Sequence, residues 1–412
     1  MKRLLHLGVG NFFRAHQAWY TFKAAGGWRI TGVSLCRPDM RDALRPQNWR
    51  YALEVSDAHG REVQVIDVLD TVLVAAEDSA AVVAAIADPQ VHVITLTVTE
   101  KGYALAPDGL LQLDAPAIVA DLSGGPAVST IGLLAAGLLA RSRHGAPVTV
   151  LSCDNLSENG IKLEAAVKRF CHAAGVEIDK YLEKSVTFPS CMVDRITPST
   201  DAGLVARVHA LGPPARAAVA TERFTEWVIE DRFAGPRPMW ERAGAVFTQD
   251  VSGFEQRKLG MLNGAHSCLA YAGLLAGHTF VHQAVADPDV KALASGVMDE
   301  AAAVLPVPLQ AGAQVYQAEL FARFANPFLH HKLRQIAMDG TLKVPIRILA
   351  TQINRKRQGL ESPACDAVVA AYGQFITAEC AAGRQIEDPN AKALKQWLTQ
   401  ECDMRTFLQR LA

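Results

Sequence analysis

Leu4-Leu5-His6-Leu7-Gly8-Val9-Gly10-Asn11-Phe12-Phe13-Arg14-Ala15-His16 decides how the first half of the chain is read. Leu4 to Gly8 is a short apolar run of strand length, and it ends in Gly8-x-Gly10 ahead of a helix-like stretch. Two such glycines let a strand-to-helix turn bring backbone amides close to a pyrophosphate, and a following helix N-terminus favours the negative charge. The motif is G-x-G-x-x-F, without the third glycine. Gly8, Gly10, Asn11 and Phe12 are therefore the candidate residues for a dinucleotide. An ordinary strand-to-helix turn is the bland alternative.

The flanking pattern supports the dinucleotide reading. Trp28–Leu35, Val91–Val98 and Pro147–Ser152 are three more strand-like runs. Ala-rich helical windows separate them, notably Ser79–Ala87 and Thr130–Ala140. Strands alternating with helices predict a parallel sheet covered on both faces, with ligands beyond the carboxyl ends of the strands. Gly212-Pro213-Pro214 is a breaker. It divides the chain into an expected dinucleotide-binding domain, 1–215, and a mostly helical substrate and catalytic domain, 216–412. Helical patterns over 254–276, 284–303, 315–325 and 365–381 carry the second half.

Composition narrows the function. At 412 residues the chain is too long for one ordinary core. Half of it is hydrophobic, a fifth is charged, and the net charge is −1 with Lys and Arg scattered. That argues against a nucleic-acid or anionic-membrane surface and for a small or neutral partner. The N-terminus enters a strand at once, with no apolar segment of secretory type, and no run is long enough to span a bilayer. Eight cysteines are dispersed with no C-x-x-C pair, which reads as reduced thiols in a cytoplasm and removes the easy route to zinc. Adjacent His330 and His331 have no evident third ligand. No heptad run demands a partner, so a monomer is expected.

In the second half, Glu255-Gln256-Arg257-Lys258-Leu259-Gly260-Met261-Leu262-Asn263-Gly264-Ala265-His266 sets polar residues in an apolar run. In a regular α-helix Glu255, Lys258, Asn263 and His266 share roughly 140° of one face. A lysine held there among apolar neighbours could lose its proton near neutral pH and act as a base. Glu255 sits one turn before Lys258, close enough to pair with it.

These pieces together resemble the polyol-specific long-chain dehydrogenase/reductase family, which holds mannitol 2-dehydrogenase, D-arabinitol 4-dehydrogenase and hexuronate reductases such as fructuronate reductase. Besides the two segments above, the resemblance rests on Thr97-Val98-Thr99-Glu100-Lys101-Gly102-Tyr103 and Ser152-Cys153-Asp154-Asn155-x-x-x-Asn159-Gly160. It continues in Val193-Asp194-Arg195-Ile196-Thr197-Pro198, Trp227-Val228-Ile229-Glu230-Asp231, and Gln335 to Arg347. The chain departs from the family at Gly235-Pro236-Arg237-Pro238-Met239-Trp240 and at Ala265, where many members carry serine.

The resemblance implies a Rossmann-type N-terminal domain, a mostly α-helical C-terminal domain and a metal-independent, NAD(P)-linked reaction. Lys258 is then the base. Asn263 and Asn155 are amide donors to the substrate oxygen, His266 binds a substrate hydroxyl, and Glu255 helps the proton to water. Lys343 and Arg347 are substrate-side cations, while Thr99, Glu100, Asn155 and Asp194 lie near the coenzyme. NAD is the expected coenzyme, with NADP admitted because Arg37, at the end of the second strand, could meet a 2′-phosphate where Asp39 comes slightly late for a ribose. The substrate is a sugar alcohol and its ketose, or alternatively a hexuronate. A silent dinucleotide-binding sensor is the competing class, and the intact Lys258, Asn155, Asn263 and His266 argue against it.

Overall fold

A computed structural model describes residues 2–106, 108–400 and 402–411. They form two compact units, one of residues up to Ser56 with Gly60–Val251, the other of Asp57–His59 with Ser252 onward.

Twelve strands belong to the first unit's fold: β1 (Arg3–Leu7), β2 (Arg29–Ser34), β3 (Tyr51–Asp57), β4 (Gly60–Ile66), β5 (Leu69–Val74) and β6 (Val91–Leu96), then β7 (Val148–Ser152), β8 (Val186–Thr187), β9 (Cys191–Asp194), β10 (Val219–Glu222), β11 (Glu226–Glu230) and β12 (Val246–Thr248). Six make one sheet in the order β5-β2-β1-β6-β7-β8, every neighbouring pair parallel. This is the doubly wound order of a Rossmann sheet, which reverses direction between β1 and β6. Val148–Ser152 is buried throughout, and so are four of the five residues of β1, because helices cover both faces. Burial on both sides explains the continuous apolar runs. One face packs on Ser79–Ala87, Thr130–Ser142 and Asn159–Ala173, and the other gathers Phe13, Tyr20, Trp227 and Trp240.

The division between units falls at Val251, not at the Gly212-Pro213-Pro214 breaker. Strand pairing is the reason. β10 joins β3 in parallel, and β11 runs antiparallel to β9 and parallel to β12. Residues 216–251 are thereby tied by backbone hydrogen bonds to strands that precede the breaker.

The second unit is helical. Its central helix, Gly264–Leu275, is buried along nearly its whole length and packs against Pro288–Ala302, Leu333–Ala337 and Pro363–Ala381. No helix among the described residues is long and apolar enough to cross a membrane.

Candidate functional site

The first unit's part begins at the turn after β1. Gly8 has φ +101°, and a Cβ there would lie 2.0 Å from the Thr97 carbonyl oxygen. Only glycine brings the turn this close to the chain leaving β6. His6, fully buried in β1, braces it. Its Nε2 lies 3.0 Å from the Gly8 carbonyl and 2.9 Å from Thr97 Oγ1, and its Nδ1 lies 2.7 Å from Thr95 Oγ1. A carbonyl only accepts, so Nε2 carries the proton and Nδ1 accepts from Thr95. Burial holds the imidazole neutral, its pKa pushed down to about 3. The ring stacks on Phe13 at 3.6 Å and 12°. Phe13 thus fills the position of the missing third glycine with a ring that packs back onto the strand.

Gly10 is exposed, and a Cβ there would meet nothing nearer than the Gly8 oxygen at 4.0 Å. The space before it is open, as an approaching phosphate requires, so the residues fit a dinucleotide. Asn11 turns its side chain inward, Nδ2 donating to the Pro198 carbonyl at 3.2 Å and to Thr200 at 3.3 Å. Its side chain is therefore a brace. Phe12 stacks on His16 at 4.9 Å. Buried Arg14 donates to the carbonyls of Gly10 and Ala217 and to Asn11 Oδ1, and desolvation lowers its pKa to about 10.

Arg37 and Asp39 stand exposed beyond β2 and pair with each other at 3.4 Å. Thr99 and Glu100 are exposed in the chain leaving β6, and Asn155 is exposed just after β7. These follow the carboxyl ends of strands in the large sheet, where such folds bind ligands. Asp194 differs: it is buried at the end of β9, outside that sheet, in register opposite Glu226.

The second unit holds Lys258, and there the local geometry departs from the expected regular helix. Ser252–Arg257 is α-helical, Lys258–Asn263 is a π-helix, and Gly264–Leu275 returns to α. On α periodicity Lys258 and Asn263 are the outermost of the four polar residues, about 140° apart. A π-helix closes its hydrogen bonds from i to i+5, so these two stand one above the other. The widened turn also presents Gly260 to Pro288–Ala302, where a Cβ would come within 2.9 Å of Ala301 Cβ. Only a residue without a side chain allows that approach.

One turn beyond Asn263, His266 is 7 % exposed, and its Nε2 is buried without a hydrogen-bond partner. Its ring lies 4.7 Å from Phe324 and 5.3 Å, edge-on, from His331. His331 Nδ1 is likewise buried and unpartnered. Burial lowers the pKa of both imidazoles, so both are neutral. A second π segment, Pro345–Leu349, carries Arg347, whose Nη1 donates to Ser267 Oγ at 3.3 Å while its Nε has no partner. Lys343 Nζ donates to the Ile336 carbonyl at 3.4 Å and lies 3.8 Å from the Asp339 carboxylate. Desolvation, then the nearby Arg347 charge, lowers its pKa. Buried polar atoms without partners are rare in folded proteins, and a polar ligand is one of the groups that can satisfy them. Glu255 is half-buried one turn before Lys258.

Sequence reasoning missed His6, Asp154 and His331 as parts of the site. Asp154 adjoins Asn155 in a block already singled out, and His6 interrupts an apolar strand. Those were the available signals. No group of three or more His, Cys, Asp or Glu side chains among the described residues could hold a metal ion.

A doubly wound sheet with a glycine turn, followed by a helical unit bearing a lysine, an asparagine and a histidine, defines a dinucleotide-linked oxidoreductase. Residues 2–242 match the mannitol dehydrogenase Rossmann domain and residues 250–410 the mannitol dehydrogenase C-terminal domain, and the chain belongs to this family. It is 39% identical over 360 residues to D-mannonate oxidoreductase of Escherichia coli strain K12, spanning 84% of this chain and 74% of that one. It is 37% identical over 387 residues to D-arabinitol 4-dehydrogenase of Ralstonia nicotianae, spanning 90% and 83%. Pseudomonas fluorescens mannitol 2-dehydrogenase, solved as a ternary complex with NAD and D-mannitol, superposes with a TM-score of 0.84 at 32% identity, over 99% of this chain and 86% of that one.

Proposed function

We propose that the chain interconverts a secondary hydroxyl of a sugar alcohol and the carbonyl of a ketose, mannitol/fructose type, with NAD(P) as coenzyme and Lys258 as general base. The observation that carries this is the single π-helical segment that runs from Lys258 to Asn263, followed one turn later by the buried, unpartnered Nε2 of His266.

The coenzyme supplies the hydride acceptor when bound. Gly8 and Gly10 form its phosphate-side turn, with Asn11 and Phe12 shaping that turn and Arg37, Thr99, Glu100 and Asp194 assigned to its remaining contacts. Lys258 Nζ, uncharged in the working state, removes the hydroxyl proton as the carbon gives up hydride. Amide N–H groups of Asn263 and Asn155 donate to the developing alkoxide. Being neutral, they stabilise it without locking it into an ion pair. Neutral His266 shares one hydrogen bond with a substrate hydroxyl, and Glu255 takes the proton from Lys258 towards water. Lys343 and Arg347 hold the far end of the substrate. The working unit is a single chain, which sedimentation at assay concentration checks.

A hexuronate substrate is the second reading. Two observations favour it: Arg347 Nε is unpartnered near a second cation, Lys343, and two such cations suit a carboxylate. The relative at 39% identity is itself named D-mannonate oxidoreductase. A spectrophotometric panel following NADH with fructose, xylulose, fructuronate and tagaturonate decides between the two. Faster turnover of the ketoses supports the polyol assignment and faster turnover of the hexuronates the alternative. NADH binding with no turnover on any of them would leave a dinucleotide sensor.

A further inference from the structure

We infer that Asp154 is a positioning residue whose carboxylate locks together the two chain segments leaving β6 and β7, and so sets both the coenzyme-side loop at Thr99 and the donor Asn155. The inference rests on the proposed roles of the first unit and of Asn155.

β6 and β7 lie side by side, with Leu96 opposite Ser152. Asp154 is buried two residues past the end of β7. Its Oδ2 accepts from the Val98 amide at 2.9 Å and from the Tyr103 hydroxyl at 2.6 Å, and its Oδ1 accepts from the Thr99 amide at 2.8 Å. Tyr103 in turn lies 2.6 Å from Ser152 Oγ. From the other side, Asn159 Nδ2 donates to the Asp154 carbonyl at 3.2 Å and to the Cys191 carbonyl at 2.8 Å, while its Oδ1 accepts from the Cys191 amide at 2.9 Å. The peptide that leads into Asn155 is thus held at its side chain and at its backbone.

Thr99 shows what the carboxylate is for. Its backbone sits at φ +64°, ψ 164°, a region essentially reserved for glycine and unfavourable for a β-branched side chain. Such a conformation persists only where its surroundings over-determine it. One carboxylate gripping two consecutive amides does so, and leaves the exposed Thr99 and Glu100 side chains facing outward. With three donors already on its oxygens and little exposure, Asp154 is not placed to exchange protons with a substrate.

The ionised form is the one that holds the loop, since a protonated carboxyl loses acceptor capacity. Burial pushes its pKa up, the Tyr103, Val98 and Thr99 donors push back down, and the Glu100 carboxylate adds to the rise. The titratable groups facing it are Tyr103 and Glu100 from the segment after β6, and Cys153 beside it. As pH falls through that raised value, the grip and with it coenzyme affinity decline. Removing the Tyr103 donor raises the value further and moves the acid limb to higher pH.

The test uses the whole chain with NADH as probe. Asp154→Asn, Thr99→Gly, the double variant and Tyr103→Phe are compared by NADH fluorescence titration across pH and by hydrogen exchange at the Val98 and Thr99 amides. Asp154→Asn should weaken NADH about ten-fold or more and speed exchange at both amides. Thr99→Gly in the same background should recover part of the loss, because glycine takes that backbone without strain, and Tyr103→Phe should shift the acid limb of NADH binding upward, measured at a temperature where the variant is still folded. If Asp154→Asn fails to fold, the Tyr103→Phe profile alone decides. Unchanged exchange and affinity in Asp154→Asn, strictly additive effects in the double variant, or a Tyr103→Phe profile superimposed on wild type would each overturn the inference. A wild-type chain that binds no NADH would instead defeat the functional proposal, with amide exchange in Asp154→Asn still judging the loop.

Discussion

Acidification should weaken the first unit through His6. The folded imidazole titrates near 3 against 6.5 for an ordinary histidine, so the native state stays neutral while the unfolded chain takes up a proton. Stability supplied by that neutral group is complete above the unfolded value, declines as pH falls below it, and is fully lost beneath the folded one. At about pH 5 the native group is still unprotonated, so the unfolded chain's proton uptake alone sets the loss, about 2 kcal/mol relative to pH 7.5. Five of the six tryptophans lie in the first unit, so intrinsic fluorescence mainly follows its unfolding. Urea melts of wild type and His6→Gln at both pH values isolate the contribution. Gln keeps a donor and an acceptor but does not titrate, so the variant's stability should fall about 2 kcal/mol less between the two conditions. Equal pH dependence in the two proteins would refute the assignment of a buried neutral imidazole beneath the Gly8 turn.

Gly8→Ala places a Cβ against the Thr97 carbonyl at a positive φ and should weaken NADH binding about ten-fold or more, read by fluorescence titration. Arg37 is paired with Asp39, whose carboxylate would repel a 2′-phosphate, so NAD should be preferred to NADP by about ten-fold in kcat/KM. Arg347→Met, by removing a half-buried cation whose Nε lacks a partner, should raise substrate KM about ten-fold or more and leave NADH affinity unchanged. The largest rise is expected for the substrates of the panel that carry a carboxylate.

Much of the first unit was legible because two-sided burial writes unbroken apolar runs. Leu4–Gly8, Trp28–Leu35, Val91–Val98 and Pro147–Ser152 all coincide with strands to within about two residues, the usual scatter of element ends. β5 was missed because Asp70 and Thr71 interrupt its run, and β10 to β12 because short strands in small sheets carry little period. Losing those three strands also misplaced the domain boundary. The π turn at Lys258 could not be read from α periodicity, although Gly260 lies inside it and Gly264 directly follows it. The role of Asp154 was hidden for a different reason: although it adjoins Asn155, its partners at 98, 99 and 103 come from another strand's end, and only the parallel pairing of β6 with β7 makes them neighbours.

The proposed chemistry depends on the side chain of Lys258, and the most direct measurement is the pH dependence of kcat/KM for alcohol oxidation in wild type and Lys258→Ala, with and without added methylamine. An amine base predicts a wild-type rate that climbs with pH to a plateau. It predicts a loss of about 10²–10⁴-fold in the variant with the profile flattened, NADH affinity retained, and partial recovery with the external amine. Near-wild-type turnover in Lys258→Ala, or an unchanged profile that methylamine does not affect, would contradict it.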